Sequence, residues 1–238
     1  MLLLFDIDGT LLDTGGAGLN ALRAGLLEEF DLLDRAEEFP PLDLAGATDS
    51  GVVRFLFDHF AIPVSEENVE RFYARYHHQL EHGLKTEGLT RGRLLPGIDR
   101  LMERLKEHHA VLGLLTGNIA RGAWTKVDSY GLEGVFAFGA FGDDHHDRNQ
   151  LGPVAMARAA AFSGREFAPN LVFIIGDTPK DIRCARACGA WAVAVATGRF
   201  SREQLAEHEP DLLFDSLEDI EHFVTEIERL ADSKSSSS

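Results

Sequence analysis

The 238-residue chain is predicted to form a doubly wound parallel α/β sheet of the Rossmann-like type, with an all-helical cap inserted into it. Two observations predict this fold class. Short apolar runs that end in polar loops alternate with amphipathic helical stripes, which is typical of a parallel sheet covered by helices on both faces. After the first apolar run, residues 15–93 show helical stripes and no strand pattern. We therefore expect this helical segment to form a separate lobe.

The change of pattern predicts the domain boundaries. Residues 1–14 and 94–232 are expected to form the α/β catalytic core, and residues 15–93 the helical cap. The serine-rich residues 233–238 are predicted to be a disordered tail. A small ligand is expected in the crevice between cap and core.

The composition limits the possible partners and the compartment. The chain has 39 acidic and 23 basic residues and a net charge of −16, which argues against nucleic acid or an anionic membrane as its main partner. An anionic substrate would need a local cation. With only two cysteines, no secretory signal and no apolar stretch of about 20 residues, the chain is predicted to be cytoplasmic, as a monomer or homodimer.

The first strand carries the central motif. A buried strand is predicted from Leu2 into Asp6, followed by Ile7, Asp8 and Gly9. Because side chains alternate along a strand, Asp6 and Asp8 are expected on the same side. Two like charges this close stay ionised only if a cation or a shared proton compensates them. The pattern suggests a carboxylate nucleophile, a second carboxyl group for proton transfer and a divalent metal; a simple Asp-Gly turn is the structural alternative.

The other elements follow from periodicity and turn residues. Further strands are predicted over Ala110–Leu115, Val135–Phe141, Leu171–Ile175, Ala192–Ala196 and Leu212–Phe214. Core helices are predicted over Ile98–His108, Ala120–Tyr130, Gln150–Ser163, Pro179–Ala187 and Ser216–Ala231. Cap helices are predicted over Leu19–Phe30 and Val52–Phe60, with another from Ser65.

Loops that follow parallel strands emerge at one edge of the sheet, and here they carry acidic groups. Asp177 ends an apolar run, and Asp181 lies one helical turn further on. With Asp6 they would offer three carboxylates, a set that suits Mg²⁺ shared with a phosphate. The alternative is that Asp177 caps a helix and Asp181 lies on the surface.

Two further loops could bind an anion. Thr116, Gly117 and Asn118 end the second long strand before a helix, where a hydroxyl and backbone N–H groups can hold phosphate, although a turn with an N-cap explains them too. Arg148 is placed before a helix to stabilise a phosphoryl group, or else it pairs with Asp144 or Asp147. Thr48 lies in a cap loop that could meet substrate or cap a helix.

Taken in order, these motifs resemble the four motifs of the haloacid dehalogenase superfamily, and residues 15–93 resemble its helical cap. The resemblance spans nearly the whole chain and includes phosphoglycolate phosphatases among the closest-looking relatives. One departure stands out: the third motif usually supplies Lys, often as Lys-Pro, whereas this loop reads Arg148-Asn149-Gln150-Leu151-Gly152-Pro153. The alternatives for this role are Lys126, within a helix, and Lys180, in the fourth motif.

The resemblance implies a role for each motif residue. Asp6 would be the nucleophile that forms an aspartyl-phosphate, and Asp8 the general acid and then base. Mg²⁺ would be held by Asp6, the backbone carbonyl of Asp8 and Asp177, with support from Asp181. Thr116, Gly117 and Asn118 would bind the phosphate of a small phosphorylated metabolite, and Arg148 would take the lysine's role.

The retained Asp8 favours phosphoryl transfer over dehalogenation, since a departing halide needs no acid. The resemblance thus implies a Mg²⁺-dependent phosphatase acting on a phosphoglycolate-like phosphomonoester. A sugar phosphomutase of the same superfamily is the alternative enzyme. A non-enzymatic phospho-acceptor domain is less well supported, because such domains have no large cap after the first strand.

Overall fold

The computed structural model describes residues 1–108 and 110–233 and contains a six-stranded parallel sheet. In chain order, the strands are β1 (Leu2–Phe5), β2 (Leu12–Asp13), β3 (Arg93–Leu94), β4 (Val111–Leu115), β5 (Gly139–Ala140), β6 (Val172–Gly176), β7 (Trp191–Val195) and β8 (Leu212–Phe214). The sheet order is β5-β4-β1-β6-β7-β8, with β1 paired to both β4 and β6. The first strand therefore lies in the middle of the sheet.

Helices fill the connections between strands. They are α1 (Ala17–Glu29), α2 (Asp49–His59), α3 (Glu66–Lys85), α4 (Glu87–Arg91), α5 (Ile98–Glu107), α6 (Ala120–Ser129), α7 (Leu151–Ser163), α8 (Pro179–Cys188), α9 (Arg202–Ala206) and α10 (Ile220–Ser233). Among the described residues, no helix has both the length and the apolar character needed to cross a membrane.

The alternation along β1 explains why both faces of the sheet are covered. Leu3 and Phe5 pack into one apolar cluster with residues of α5, α6 and α10. Leu2 and Leu4 pack into a second cluster with residues of α7, α8 and α9. This is the predicted doubly wound arrangement, with a hydrophobic layer on each face of a central parallel sheet.

The segment between β2 and β3 has its own apolar core. Helices α1, α2 and α3 bury a cluster that includes Leu26, Phe57 and Phe72, and the rings of Phe57 and Phe72 meet edge to face. Within this segment, the described residues contain helices and no strand. The division of the chain at residues 15–93 stays a prediction, and a separate apolar core is what that division leads us to expect. The helical segment between β2 and β3 is called the cap below.

Three local features differ from the predictions. The strand expected over Val135–Phe141 is reduced to β5, which pairs only with β4. Strands β2 and β3 were not predicted; they pair antiparallel where the chain enters and leaves the helical segment, and two residues are too short to show an alternating pattern. The final helix, α10, reaches Ser233, which was assigned to the tail. Residues 234–238 lie outside the described part of the chain.

Candidate active site

The loops at the carboxyl edge of the sheet surround one cavity of about 520 Å³ between the core and the helical segment. From the core it is lined by the motif residues Asp6, Asp8, Thr116, Gly117, Asn118, Arg148 and Asp177. From the helical segment, Leu22, Asp49, Val52 and Tyr76 line it. The topology thus brings the polar loops together where open α/β sheets bind ligands.

Three carboxylates meet at the base of the site. Oxygen atoms of Asp6, Asp177 and Asp181 lie within 4.8 Å of one another, and all three residues are buried. Burial raises the pKa of Asp6 to about 6, although nearby Arg148 opposes the shift. Burial, with Asp6 and Asp181 close by, also raises the pKa of Asp177 well above its ordinary value. The crowding of three buried carboxylates therefore favours either a shared proton or a bound cation.

Small residues leave room around the Asp177 carboxylate. The hydroxyl of Thr10 donates to its Oδ1 at 3.3 Å. A Cβ atom at Gly9 would lie 2.5 Å from its Oδ2, and one at Gly198 would lie 1.7 Å from the same oxygen. Gly9 also has a φ of +83°, which favours glycine. The Asp177 carboxylate therefore packs closely against the backbone at both glycines, where a side chain would not fit.

Arg148 lies among the carboxylates rather than in solvent. It follows Asp147, whose side chain caps the short 3₁₀ turn of residues 148–150, and it is buried. Its Nη2 lies 3.2 Å from Asp6 Oδ1 and donates to Asp181 Oδ1. Burial alone would lower the pKa of Arg148, but the two carboxylates raise it above its ordinary value. The guanidinium is thus a fixed cation beside Asp6, and the surface pairing with Asp144 or Asp147 does not occur.

Asp181 is held from both sides. Its Oδ2 accepts from the backbone N–H of Thr178 at 3.0 Å and from the Thr178 hydroxyl at 2.6 Å, which completes a capping box at the start of α8. Its Oδ1 accepts from Arg148. Because both oxygens already have donors, Asp181 is better placed to orient the cluster than to bind a ligand directly.

Asp8 has a cation of its own. Its carboxylate accepts from the Lys126 ammonium at 2.7 and 2.8 Å and from the side-chain amide of Asn118 at 2.8 Å. The Asp8 side chain is 43% exposed, whereas that of Lys126 is only 4% exposed. The two carboxylates of the first motif therefore have different partners. Asp6 contacts the acidic cluster and Arg148, whereas Asp8 contacts a lysine and an amide.

The cap contacts the core beside the Thr116–Asn118 loop. The backbone N–H of Asp49 donates to the Gly117 carbonyl at 2.7 Å, and the Asp49 carboxylate accepts from the backbone N–H of Ile119 at 2.9 Å. The Ser50 hydroxyl donates to the Gly142 carbonyl. Burial raises the pKa of Asp49 to about 6, with Lys126 opposing the shift. These contacts cover the cavity on the cap side.

Thr48 is placed differently from the other predicted binding residues. Its hydroxyl donates to the carbonyl of His146 at 2.7 Å and accepts from the backbone N–H of Gly51 at 3.2 Å. It therefore caps α2 and ties the cap to the core, and it does not line the main cavity. A substrate-binding role for Thr48 stays a prediction.

The donor set fits a hard divalent cation. Asp6 and Asp177 supply carboxylate oxygens of the kind that Mg²⁺ prefers, and the crowding of these residues with Asp181 favours a cation. Asp177 belongs to this cluster and lines the cavity, so its carboxylate is a candidate ligand. The Asp8 carboxylate does not belong to this cluster, so its part in metal binding would be through its backbone carbonyl, as predicted.

The family assignment follows from the sequence comparison. Residues 3–195 match the model of the haloacid dehalogenase-like hydrolases. The chain belongs to this family. The predicted resemblance is therefore confirmed.

Curated relatives of this haloacid dehalogenase-like hydrolase are phosphatases. A phosphoglycolate phosphatase of Nitrosococcus oceani is 23% identical over 94% of this chain and 96% of its own length. One from Synechococcus elongatus is 28% identical, over 57% of this chain and 61% of its own length. A probable phosphatase, IndB, of Dickeya dadantii is 25% identical over 92% of this chain and 91% of its own length. The predicted enzyme class, phosphoric monoester hydrolase, is thereby confirmed.

Solved structures confirm the fold. A hydrolase from Pseudomonas syringae has a TM-score of 0.69 at 21% identity and covers 95% of this chain and 98% of its own. A structure described as a putative β-phosphoglucomutase from Thermotoga maritima has a TM-score of 0.61 at 21% identity, covering 95% of this chain and 99% of its own. Both likenesses concern the architecture alone.

Two features of the site were not assigned from the sequence. From the sequence, Lys126 is only an alternative for the third-motif lysine, yet it contacts Asp8; its place in the buried stripe of α6, beside Gly122 and Ala123, is the signal for this role. The loop after β7 has no role predicted from the sequence. There Thr197 donates to the Gly9 carbonyl at 2.6 Å, and no local motif signals this contact.

Proposed function

We propose that this protein is a Mg²⁺-dependent phosphatase that hydrolyses a small, phosphoglycolate-like phosphomonoester through an aspartyl-phosphate on Asp6. The observation that carries the proposal is the meeting of Asp6, Asp177 and Asp181 with Arg148 at the wall of one cavity. A carboxylate nucleophile, a metal-binding cluster and a fixed cation are what phosphoryl transfer requires.

Asp6 is the proposed nucleophile. One of its carboxylate oxygens would attack phosphorus, the bond from phosphorus to the leaving oxygen would break, and the phosphoryl group would remain on Asp6. With its pKa raised to about 6, the carboxyl group is mainly ionised at neutral pH, as a nucleophile must be. Arg148 at 3.2 Å orients this carboxylate and is placed to stabilise charge on the transferred group.

Asp8 is the proposed acid and base. Its proton would pass to the leaving alcohol oxygen as the first ester bond breaks. The same carboxylate would then take a proton from the water that attacks the aspartyl-phosphate and restores Asp6. Its partial exposure toward the cavity is consistent with contact to a leaving group.

Mg²⁺ would be held by Asp6, Asp177 and the backbone carbonyl of Asp8, with Asp181 orienting the cluster. When bound, it would neutralise charge on the phosphoryl oxygens. Thr116, Gly117 and Asn118 are proposed to bind the phosphate at the end of β4, where all three line the cavity.

The cavity supports a small substrate. It holds about 520 Å³ in all and is closed on the cap side by Leu22, Val52 and Tyr76. Arg93 and Arg199 also line it, and they could attract an anion in a chain of net charge −16. Phosphoglycolate is the substrate named for several relatives, and it is the first compound to test.

The test is release of inorganic phosphate from a panel of phosphorylated metabolites, with Mg²⁺ and with a chelator. We expect sustained, Mg²⁺-dependent turnover of phosphoglycolate or another small phosphomonoester, and none with Asp6→Asn. No phosphate release from any member of the panel would contradict the proposal.

Two other outcomes would identify the alternatives. Isomerisation of a sugar phosphate that requires a bisphosphate primer would identify a phosphomutase. A single phosphorylation without turnover would identify a phospho-acceptor domain. A cytoplasmic location and a monomeric or dimeric state are proposed alongside.

A further inference from the structure

Lys126 is a buried cation that the mechanism above does not use. It lies on α6, which packs against the sheet, and its side chain is 4% exposed. The ammonium donates to Asp8 Oδ2 at 2.7 Å, to Asp8 Oδ1 at 2.8 Å and to Asn118 Oδ1 at 2.7 Å. These three contacts give the N–H groups of the ammonium acceptors within the protein.

The contacts form a closed ring. Asn118 accepts from Lys126 through its carbonyl and donates through its amide to Asp8 Oδ2 at 2.8 Å. The same amide donates to the Thr116 hydroxyl at 2.8 Å, which ties the ring to the end of β4. Both oxygens of Asp8 are thus fixed by groups that are themselves fixed to a strand and a helix.

The cap covers this ring. A Cβ atom on Gly18, in α1, would lie 3.4 Å from the Lys126 ammonium and 3.8 Å from the Thr14 hydroxyl. A larger side chain at Gly18 would press on the ammonium. The lysine is therefore shielded from water by the cap, while the Asp8 carboxylate beside it stays 43% exposed.

The partial exposure of Asp8 bears on what the loss of Lys126 would do. Removing one partner of an ion pair is strongly destabilising when it leaves the other charge buried without compensation. Asp8 remains partly exposed, so it could be hydrated without Lys126. The lysine contacts Asp8 and Asn118, which indicates a role in the candidate active site and not in the hydrophobic core.

We propose that Lys126 is a positioning residue that, with Asn118, holds the Asp8 carboxyl group in one orientation for proton transfer at the leaving oxygen. This inference rests on the proposed role of Asp8 as acid and base. Lys126 would act through Asp8 and would not touch the reacting atoms. Misplacement of a catalytic group by about 1 Å can cost up to about a hundredfold in rate.

The test compares two leaving groups in Lys126→Met, with the exposed Lys106→Met as the matched control. An alkyl phosphate needs a proton on its leaving oxygen, whereas p-nitrophenyl phosphate releases a stable anion. We expect kcat for the alkyl phosphate to fall by about tenfold or more with little change in KM. The first-turnover release of nitrophenolate should stay within about twofold of wild type.

A double variant provides a second readout. If Lys126 acts through Asp8, Asp8→Asn with Lys126→Met should hydrolyse the alkyl phosphate as fast as Asp8→Asn alone, within about twofold. Thermal unfolding of Lys126→Met should match that of Lys106→Met, which excludes a loss of folding as the cause.

Three results would overturn the inference. They are equal losses on both substrates, multiplicative losses in the double variant, and unchanged alkyl phosphate turnover in Lys126→Met. Failure of the proposed function is a separate outcome, because the wild-type protein would then hydrolyse neither substrate.

Discussion

At the scale of single residues, the site separates two carboxylates that are only two positions apart. Asp6 is buried with Arg148 and the acidic cluster, while Asp8 faces Lys126 and remains partly exposed. Environment rather than residue type therefore distinguishes the proposed nucleophile, Asp6, from the proposed acid and base, Asp8. This is how one pair of identical side chains can perform two roles.

Removing Arg148 tests the fixed cation. We expect Arg148→Ala to lower kcat/KM by at least tenfold, about 1.4 kcal/mol, because Asp6 and the transferred phosphoryl group lose a fixed positive charge beside them. Arg100→Ala, an exposed arginine at the start of α5, is the control. Equal activity of the two variants would show that Arg148 has no role in the reaction.

The raised pKa of Asp49 predicts that the stability of the protein depends on pH. Its pKa is raised to about 6 by burial, from an ordinary value of 3.8, so the folded protein binds more protons than the unfolded chain between those values. The free energy of unfolding should therefore fall as pH rises through this window. Asp49→Asn keeps an acceptor for the Ile119 N–H but does not titrate, so its free energy of unfolding should not show this fall.

Urea unfolding at pH 4 and pH 7 measures the effect. We expect Asp49→Asn to gain about 2–3 kcal/mol over wild type on going from pH 4 to pH 7. Asp58→Asn, exposed on the same helix, should show no such gain. A constant difference between Asp49→Asn and wild type would refute the assigned shift.

At the scale of elements, the cap meets the core through backbone groups. A Cβ atom on Gly117 would lie 1.8 Å from the Ala47 carbonyl oxygen, so only glycine permits this contact. Asp49, two residues after Ala47 in the cap, donates its backbone N–H to the Gly117 carbonyl. Cap docking therefore depends on one glycine of the loop after β4.

Gly117→Ala should prevent the cap from docking as it does here. We expect faster hydrogen exchange of the Asp49 amide, together with a raised KM because the cavity loses its cover. Gly122→Ala is the control, since a Cβ there would meet its neighbours at 3.5 Å or more. Exchange of the Asp49 amide at the wild-type rate in Gly117→Ala would contradict the docking contact.

The long elements were predictable and the short ones were not. Strands β1, β4, β6, β7 and β8 follow apolar runs, and the three long cap helices follow clear amphipathic stripes. The pair β2 and β3 forms only through a contact between distant parts of the chain, which periodicity cannot show. The predicted acidic cluster assembled because parallel topology places its loops at one edge.

Side-chain partners were harder to predict than positions. Arg148 and Asp181 meet as a consequence of topology, but the direction of the Thr48 hydroxyl toward His146 depends on how the cap docks. The same holds for Lys126, whose partner Asp8 lies 118 positions away. Sequence patterns indicate which edge a residue reaches, and tertiary packing decides what it contacts there.

At the scale of the whole molecule, metal binding should stabilise the fold. Burial and the neighbouring carboxylates raise the pKa of Asp177, so ionising the cluster is costly without a cation, and Mg²⁺ bound there should favour the folded state. At about 100 times Kd, linkage gives about 2.7 kcal/mol, or a rise in Tm of about 5–10 °C for a protein of this size.

Asp177→Asn should lose most of that rise, because it removes one of the clustered carboxylates that are proposed to hold the ion. Differential scanning calorimetry with Mg²⁺ and with a chelator measures both proteins. An equal Mg²⁺ effect on wild type and Asp177→Asn would place the ion elsewhere.

The central claim, that Asp6 takes the phosphoryl group, is tested by trapping the phosphorylated protein. Asp8→Asn, in which water attack is slowed, is mixed with substrate and Mg²⁺, quenched in acid, digested and analysed by mass spectrometry. The account predicts a phosphoryl group on the peptide that contains Asp6, and none when Asp6→Asn is added to the variant. Phosphorylation of another residue, or steady phosphate release by Asp6→Asn, would contradict it.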